Sequence, residues 1–279
     1  MINVLLTGAN GQLGTCLQKK VNQFPKISLD AKNSSELNLL KFDEVEAYFQ
    51  NYQPDFCVNA GAYTQVDLAE DEAKKAFSIN AEAVEHLAKM CAKYNCKLIH
   101  ISTDYVFDGK KKSPYLETDL TGPINAYGAS KLIGEKAIET HLEAHYILRT
   151  SWLYSDVGKN FFTSMKNLLN KGTQLKIVTS QKGCPTNAYH LAEVILKLIE
   201  KAEVAYGIYH FSNSEATTWY AFTKEIARLI EVDEDLVLPT QHYPTKAERP
   251  ENSVLSCAKI ENALGYKIAD WKTALSELK

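Results

Sequence analysis

Short apolar runs alternate with longer stretches of helical period through the first half of the chain. Ile2-Asn-Val-Leu-Leu6, Phe56-Cys-Val-Asn-Ala60, Lys97-Leu-Ile-His-Ile101 and His145-Tyr-Ile-Leu148 read as buried strands, and Lys26 to Leu29 as another that ends at Asp30. Between them, Leu17 to Val21 and Phe42 to Tyr52 keep an amphipathic helical period. Glu70 to Tyr94 does so over a longer span, through Ala73, Phe77, Ala81, Val84, Leu87, Ala88 and Cys91. Strand and helix in strict alternation predict an α/β fold, a doubly wound parallel sheet of Rossmann type. After about residue 151 the regularity loosens. Helices are expected over 160–169, 191–199 and 219–230, and short strands over 175–178 and 207–211. Pro239, Pro244 and Pro250 then punctuate a loop-rich tail.

The first strand runs into Gly8-Ala-Asn-Gly11-Gln-Leu-Gly14 and then into a helix. Strand, glycine-rich turn and helix in that order are the setting in which glycine spacing carries meaning. The glycines allow a tight turn, a close approach of backbone to a diphosphate, and packing of the helix on the strand. The free N–H groups of the helix N-terminus complete an anion site. Asp30 stands where this fold holds a ribose 2′-hydroxyl, about 20 residues beyond the turn. Lys32 beside it suits a 2′-phosphate, so NADH and NADPH both stay open. The dinucleotide-binding domain is expected to comprise residues 1–151 and about 175–211. A smaller, loop-rich substrate lobe is expected from about 152–174 and 212–279.

Composition narrows the partners. Hydrophobic residues make up 45% of the 279 and charged residues 23%, as in ordinary globular proteins. A net charge of −3 gives no support for a nucleic-acid partner. No run approaches the roughly 20 apolar residues of a membrane span, and Ile2–Leu6 follows no basic stretch or cleavage signal. A cytoplasmic protein with no membrane partner is therefore expected. The six cysteines, at 16, 57, 91, 96, 184 and 257, form no Cys-x-x-Cys pair and read as small buried hydrophobes rather than metal ligands.

The candidate chemistry lies at Tyr127-Gly-Ala-Ser-Lys131. A tyrosine and a lysine four apart share one helix face, so a phenol able to give up a proton stands beside a fixed positive charge. The spacing recurs at Tyr220 and Lys224, and context separates the two. Tyr127 lies downstream of Thr103 at a strand end, whereas Tyr220 opens a helix in the half without the glycine turn. Reducing a ketone needs hydride at carbon, a proton at oxygen and support for the developing oxyanion. Thr103 can bond the carbonyl oxygen, Tyr127 can supply the proton, and Lys131 is expected to favour the phenolate and to orient a nicotinamide ribose.

Three runs together, Thr7-Gly-Ala-Asn-Gly-Gln-Leu-Gly14, Ser102-Thr-Asp-Tyr-Val-Phe-Asp-Gly109 and Tyr127-Gly-Ala-Ser-Lys131, resemble the extended short-chain dehydrogenase/reductases. Asn59-Ala-Gly-Ala-Tyr-Thr-Gln-Val-Asp67, Arg149-Thr-Ser-Trp-Leu-Tyr154, Gly183-Cys-Pro-Thr186 and Arg249-Pro-Glu-Asn-Ser253 narrow the resemblance to the family of dTDP-4-dehydrorhamnose reductases, over nearly the whole chain. It implies NADPH- or NADH-dependent reduction of the 4-keto group of a nucleotide-sugar substrate, dTDP-4-dehydro-L-rhamnose. Carried onto these positions it implies Thr103, Tyr127 and Lys131 as catalytic residues. The implied cofactor contacts are Gly8, Asn10, Gly11, Gln12, Leu13, Gly14, Asp30, Asn38, Leu39, Ala60, Ala62, Tyr63, Thr64, Tyr127 and Lys131. The implied substrate contacts are Thr103, Asp104, Trp152 and Arg249. Arg249 is one of three arginines, and its guanidinium suits a diphosphate.

Two departures from the family pattern stand out. Some members hold Mg²⁺ at a dimer interface through glutamates, and the matching positions here are Cys16 and Tyr189, neither a hard oxygen ligand. No metal is expected, and a homodimer stays open without that mode of assembly. Where two arginines often precede the proline, this chain has Glu248-Arg249. Two other readings remain. One is an epimerase or 4,6-dehydratase of the same superfamily, although Tyr105 stands where a dehydratase has its second acid. The other is a non-catalytic NADP-binding regulatory subunit, which would have no need of Tyr127.

Overall fold

The computed structural model of the protein describes residues 1–201 and 203–279. The first half runs β1 (Ile2–Thr7), α1 (Gln12–Lys20), β2 (Ile27–Lys32), α2 (Phe42–Tyr52), β3 (Phe56–Asn59), α3 (Val66–Ala69), α4 (Ala73–Phe77), α5 (Ala83–Lys93), β4 (Lys97–Thr103), α6 (Ala126–His141) and β5 (His145–Thr150). Then follow β6 (Leu153–Tyr154), α7 (Phe161–Leu169), β7 (Leu175–Val178), β8 (Lys182–Gly183), β9 (Thr186–Asn187), α8 (Ala188–Glu200) and β10 (Gly207–His210). The chain ends with β11 (Thr217–Thr218), α9 (Trp219–Leu229), β12 (Val237–Thr240), α10 (Ala258–Leu264) and α11 (Trp271–Ser276).

Six strands form one parallel sheet in the order β2-β1-β3-β4-β5-β10. Its apolar runs are buried on both faces. Val4, Leu6, Phe56, Val58, Ile99, Tyr146 and Leu148 pack on one side with Leu13 and Leu17 of α1 and Leu191, Ile195 and Leu198 of α8. Leu5, Cys57, Leu98 and Ile147 pack on the other with Val45 and Phe49 of α2, Leu87 and Cys91 of α5 and Ile138 of α6. This alternation within each strand makes the α/β, doubly wound arrangement read from the pattern the observed one. A third core, with Tyr154, Phe162, Leu175, Phe222, Val237 and Trp271, belongs to α7, α9, α11 and the β7–β12 pair. β7, which the pattern grouped with the dinucleotide half, thus pairs outside the large sheet, while α8 and β10 return to it.

Strand order reverses between β1 and β3: the chain leaves β1 to one side for β2 and returns on its other side as β3. Ligands of open α/β sheets bind at such a point, beyond the carboxyl ends of the strands. Gly8 holds φ at +72°, and a Cβ there would lie 2.6 Å from the Gly61 nitrogen, so the β1 turn passes hard against the end of β3. A Cβ on Gly14 would lie 2.3 Å from the Gly8 carbonyl oxygen, so α1 seats directly on the turn. Gly14→Ala is therefore expected to lower the unfolding free energy by about 1–3 kcal/mol, seen as a lower urea midpoint at unchanged slope.

The long helix expected over 70–94 is broken. Residues Ser78–Glu82 form a π-helical turn between α4 and α5. The cause is tertiary: Asn80 accepts from the Tyr63 N–H at 2.9 Å and donates to the Tyr63 carbonyl and the Ser130 hydroxyl, both at 3.0 Å. That turn ties the segment after β3 to the first turns of α6. Among the described residues no helix is long and apolar enough to cross a membrane, and no group of three or more His, Cys, Asp or Glu could hold a metal ion. Tyr189 bonds Lys19 and Asp156, each at 2.9 Å. All six cysteines are free, five of them buried.

Candidate active site

One groove crosses the carboxyl edge of the sheet in two lobes. The first, about 330 Å³, is lined by Thr7, Gly8, Asn10, Gly11, Asn33, Ser34, Leu37, Asn38, Leu39, Ala60, Gly61 and Ala62, with Ile79 and Ala83 beneath. The second, about 480 Å³, is lined by Gly11, Gln12, Leu13, Ala60, Ala62, Thr64, Thr103, Asp104, Tyr105, Tyr127, Lys131, Trp152, Lys159, Asn160 and Trp219. Gly11, Ala60 and Ala62 border both lobes, so the glycine turn and the Tyr127/Lys131 pair face a single cleft.

Most of the residues singled out for a cofactor line this groove, and three do not. Gly14 is buried beneath the turn, where it packs α1 rather than facing a ligand. Tyr63 is buried, with its hydroxyl on Glu72 at 3.0 Å. Asp30 lies in mid-strand, because β2 runs on to Lys32, opposite Thr7. Its carboxylate takes Lys32 Nζ at 2.8 Å and the Tyr48 hydroxyl at 2.7 Å. Burial raises the Asp30 carboxyl, but the bonds from Lys32 and Tyr48 outweigh it and hold the group low. Asn33 and Ser34, which follow the true strand end, occupy the groove in its place; the polar run Asn33-Ser-Ser35 was the available signal for them.

Tyr127 stands in the first turn of α6. Asn125 caps that helix, its side chain accepting from the Gly128 N–H at 2.8 Å and donating to the Glu248 carbonyl at 2.9 Å. A Cβ on Gly128 would lie 2.1 Å from the Tyr105 carbonyl oxygen, which brings the start of α6 against the segment after Thr103. Tyr105 and Tyr127 meet edge to face at 5.9 Å. The Thr103 hydroxyl donates to Asp104 Oδ1 at 3.1 Å and accepts from the Tyr105 N–H at 3.2 Å.

The electrostatics differ from the expectation that Lys131 lowers the Tyr127 pKa. Burial pushes the phenol up to about 12; a hydrogen bond with Thr103 opposes the shift and the Asp104 carboxylate adds to it. Lys131 Nζ is turned to the Ile101 carbonyl at 2.6 Å and to His100 Nε2 at 3.1 Å. Burial pulls this ammonium down to about 8, with Glu135 opposing. The result is a phenol that keeps its proton at neutral pH, the state a proton donor needs.

Asp104 is 3% exposed, and its Oδ2 has no partner among the described residues. Burial pushes its carboxyl up to about 7 against bonds from Ser253 and Thr103. The folded pKa thus lies above the unfolded value of about 3.9, and the native state binds more protons between the two. Stability from this group is full below about pH 4 and is lost as pH rises toward about 7. Relative to Asp104→Asn, the native protein should lose on the order of a few kcal/mol across that window. Urea unfolding of both proteins at stepped pH checks this, and parallel curves would contradict it.

Trp152, at φ +47°, is held in a backbone region that side chains rarely adopt. Its indole packs on Gly183 and stacks on Trp219 at 3.6 Å and 8°. Trp219 borders the active-site lobe and also a separate cavity of about 880 Å³, shared with Asp67, Phe161, Met165, Gln181, Tyr243 and Arg249. Arg249 therefore lies outside the Tyr127 lobe, donating to Asp67 Oδ2 at 3.0 Å, with its Nε unpartnered among the described residues. Tyr220 and Lys224 sit in α9, away from the glycine turn, and Lys224 approaches Asp235 at 3.9 Å. The sequence reading missed Trp219, Lys159 and Asn160; none carries a local motif, and only the fold brings them to the cleft.

Comparison with known proteins agrees with this geometry. The family model described as RmlD substrate binding domain matches residues 2–279. The dTDP-4-dehydrorhamnose reductase of Aggregatibacter actinomycetemcomitans is 38% identical over 290 residues, covering 100% of this chain and 99% of that protein. A crystal structure of a dTDP-4-dehydrorhamnose reductase from Clostridium acetobutylicum ATCC 824 superposes with a TM-score of 0.94 at 36% identity, over 99% of this chain and 98% of that one. That of the Bacillus anthracis str. Ames reductase in complex with NADP gives 0.94 at 33% identity, over 100% and 99%. The dTDP-glucose 4,6-dehydratase DesIV of Streptomyces venezuelae, at 16% identity and a TM-score of 0.84, shares the fold alone. In sequence and in structure, along its whole length, the chain belongs to the dTDP-4-dehydrorhamnose reductase family.

Proposed function

We infer that this protein reduces the 4-keto group of dTDP-4-dehydro-L-rhamnose to give dTDP-L-rhamnose, with NADPH or NADH as reductant. The observation that carries the reading is the single groove that begins at the glycine turn and ends at Thr103, Tyr127 and Lys131.

The residues present fit a dinucleotide. Gly8 and Gly11 put no side chain at two positions of the turn, α1 offers its N-terminus, and Gln12 Oε1, an acceptor buried without a partner among the described residues, suits a ribose hydroxyl. Asn33, Ser34, Asn38 and Leu39 would hold the adenosine end, and Ala60, Ala62 and Thr64 would border the middle. The bound nicotinamide supplies the hydride. Tyr127 gives its phenolic proton to the oxygen that becomes the 4-hydroxyl. Thr103 bonds that oxygen while charge develops on it, and Lys131 donates to the ribose and steadies the phenolate that Tyr127 leaves. Asp104, with one oxygen free of partners among the described residues, suits a sugar hydroxyl. Trp152 and Trp219 wall the sugar pocket. Arg249, which lines the neighbouring 880 Å³ cavity, suits the diphosphate once it releases Asp67.

Nicotinamide cofactor carrying deuterium at its transferable position tests the reading. Mass spectrometry of the product should find the label at C4 of the sugar. Consumption of cofactor with no label on the sugar would exclude it.

A further inference from the structure

A row of buried polar side chains crosses the apolar sheet where packing alone would favour apolar ones. Thr7, Asn59 and His100 are register partners on β1, β3 and β4, so they leave the sheet on one face. Thr7 Oγ1 lies 2.7 Å from Asn59 Oδ1, Asn59 Nδ2 lies 3.1 Å from His100 Nδ1, and His100 Nε2 lies 3.1 Å from Lys131 Nζ. All four residues are 2% exposed or less. Such a row costs stability unless each member is paired, and it ends on the lysine of the cleft.

The donor count at Lys131 states what the row does. An ammonium has three N–H groups. The Ile101 carbonyl takes one at 2.6 Å, and His100 Nε2, at 3.1 Å, takes a second in the tautomer that carries its proton on Nδ1. One remains for the cleft that Lys131 lines. We propose that His100 is a positioning residue for the reaction: with the Ile101 carbonyl it pins two of the three hydrogens on Lys131 Nζ, so the third is presented to the cleft. This rests on the role given to Lys131 above.

The chemistry of the row couples it to charge. With Asn59 Oδ1 on Thr7 and Asn59 Nδ2 on His100 Nδ1, the imidazole proton sits on Nε2 and an uncharged Lys131 amine accepts it. With the amide turned over, the Asn59 oxygen accepts from Nδ1–H, its nitrogen faces Thr7, and Nε2 accepts from the Lys131 ammonium, which is the state in which His100 pins the lysine. The ionisable groups around Lys131 are Tyr127 and Glu135 from α6, His100 from β4, Asp104 beyond β4, and Arg149 from β5, which Glu135 binds at 2.7 Å. Burial first, and the Lys131 charge second, hold His100 well below an ordinary imidazole, so it stays neutral while Lys131 titrates.

The test uses the intact enzyme and steady-state kinetics across the pH range that spans the Lys131 titration. His100→Gln keeps an acceptor where Nε2 stands, His100→Asn keeps only the Asn59 side, and Lys131→Met is the reference. His100→Gln should hold kcat within about threefold of the native enzyme. His100→Asn should lose about tenfold or more in kcat with little change in KM for the nucleotide sugar. Its alkaline limb should move to lower pH, because the ammonium loses an acceptor. A native profile in His100→Asn would overturn the inference. So would equal losses in both variants with an unmoved pH profile, the mark of a merely structural residue. Near-native turnover in Lys131→Met would instead remove the role of Lys131 itself, which is a separate failure.

Discussion

Tyr127→Phe is expected to lower kcat by a factor on the order of 10² to 10⁴, the range for loss of a positioned proton donor. Cofactor affinity should persist, because the change removes one oxygen from a ring that stays packed edge to face on Tyr105. The phenol enters the reaction protonated, since burial pushes its pKa up to about 12. The proton leaves only when charge builds on the substrate oxygen, and the Lys131 ammonium then steadies the phenolate. Single-turnover measurement after mixing with substrate separates this chemical step from binding. Near-native turnover in the variant would exclude Tyr127 as the donor.

Lys131→Met should act on two quantities together. Turnover should fall by a factor on the order of 10² or more, and cofactor should bind more weakly, because one ammonium serves both the ribose and the phenolate. In the native enzyme, burial pulls Lys131 down to about 8, so its charge is present below that pH and is lost above it. The kcat/KM profile should therefore decline as pH rises through about 8, and the decline should be missing from the residual activity of the variant. A variant with native cofactor affinity and the same alkaline decline would assign that limb to another group.

The sheet was legible because parallel strands covered on both faces are written as short apolar runs, and five of the six stand at the predicted places. The glycine turn was legible because its spacing answers to contacts inside a few residues, Gly14 on the Gly8 carbonyl above all. What escaped was set by distant contacts. Asn80 bends the expected helix into a π turn because it must reach Tyr63 and Ser130. β7 finds its partner in β12, far along the chain. Asp30 was placed at a strand end, but β2 continues to Lys32 and gives the groove to Asn33 and Ser34. The pairing of Tyr127 with Lys131 was visible as helical spacing. The turning of Lys131 toward His100 was not, because a histidine inside Lys97–Ile101 looks like any other interruption of a strand.

The central claim meets its most direct test when the purified protein is mixed with dTDP-4-dehydro-L-rhamnose and NADPH or NADH and nicotinamide absorbance is followed. The account predicts cofactor oxidation that requires the sugar nucleotide and falls away in Tyr127→Phe. Absence of oxidation with both cofactors, in protein that still binds them, would contradict it and favour a cofactor-binding subunit without catalytic activity.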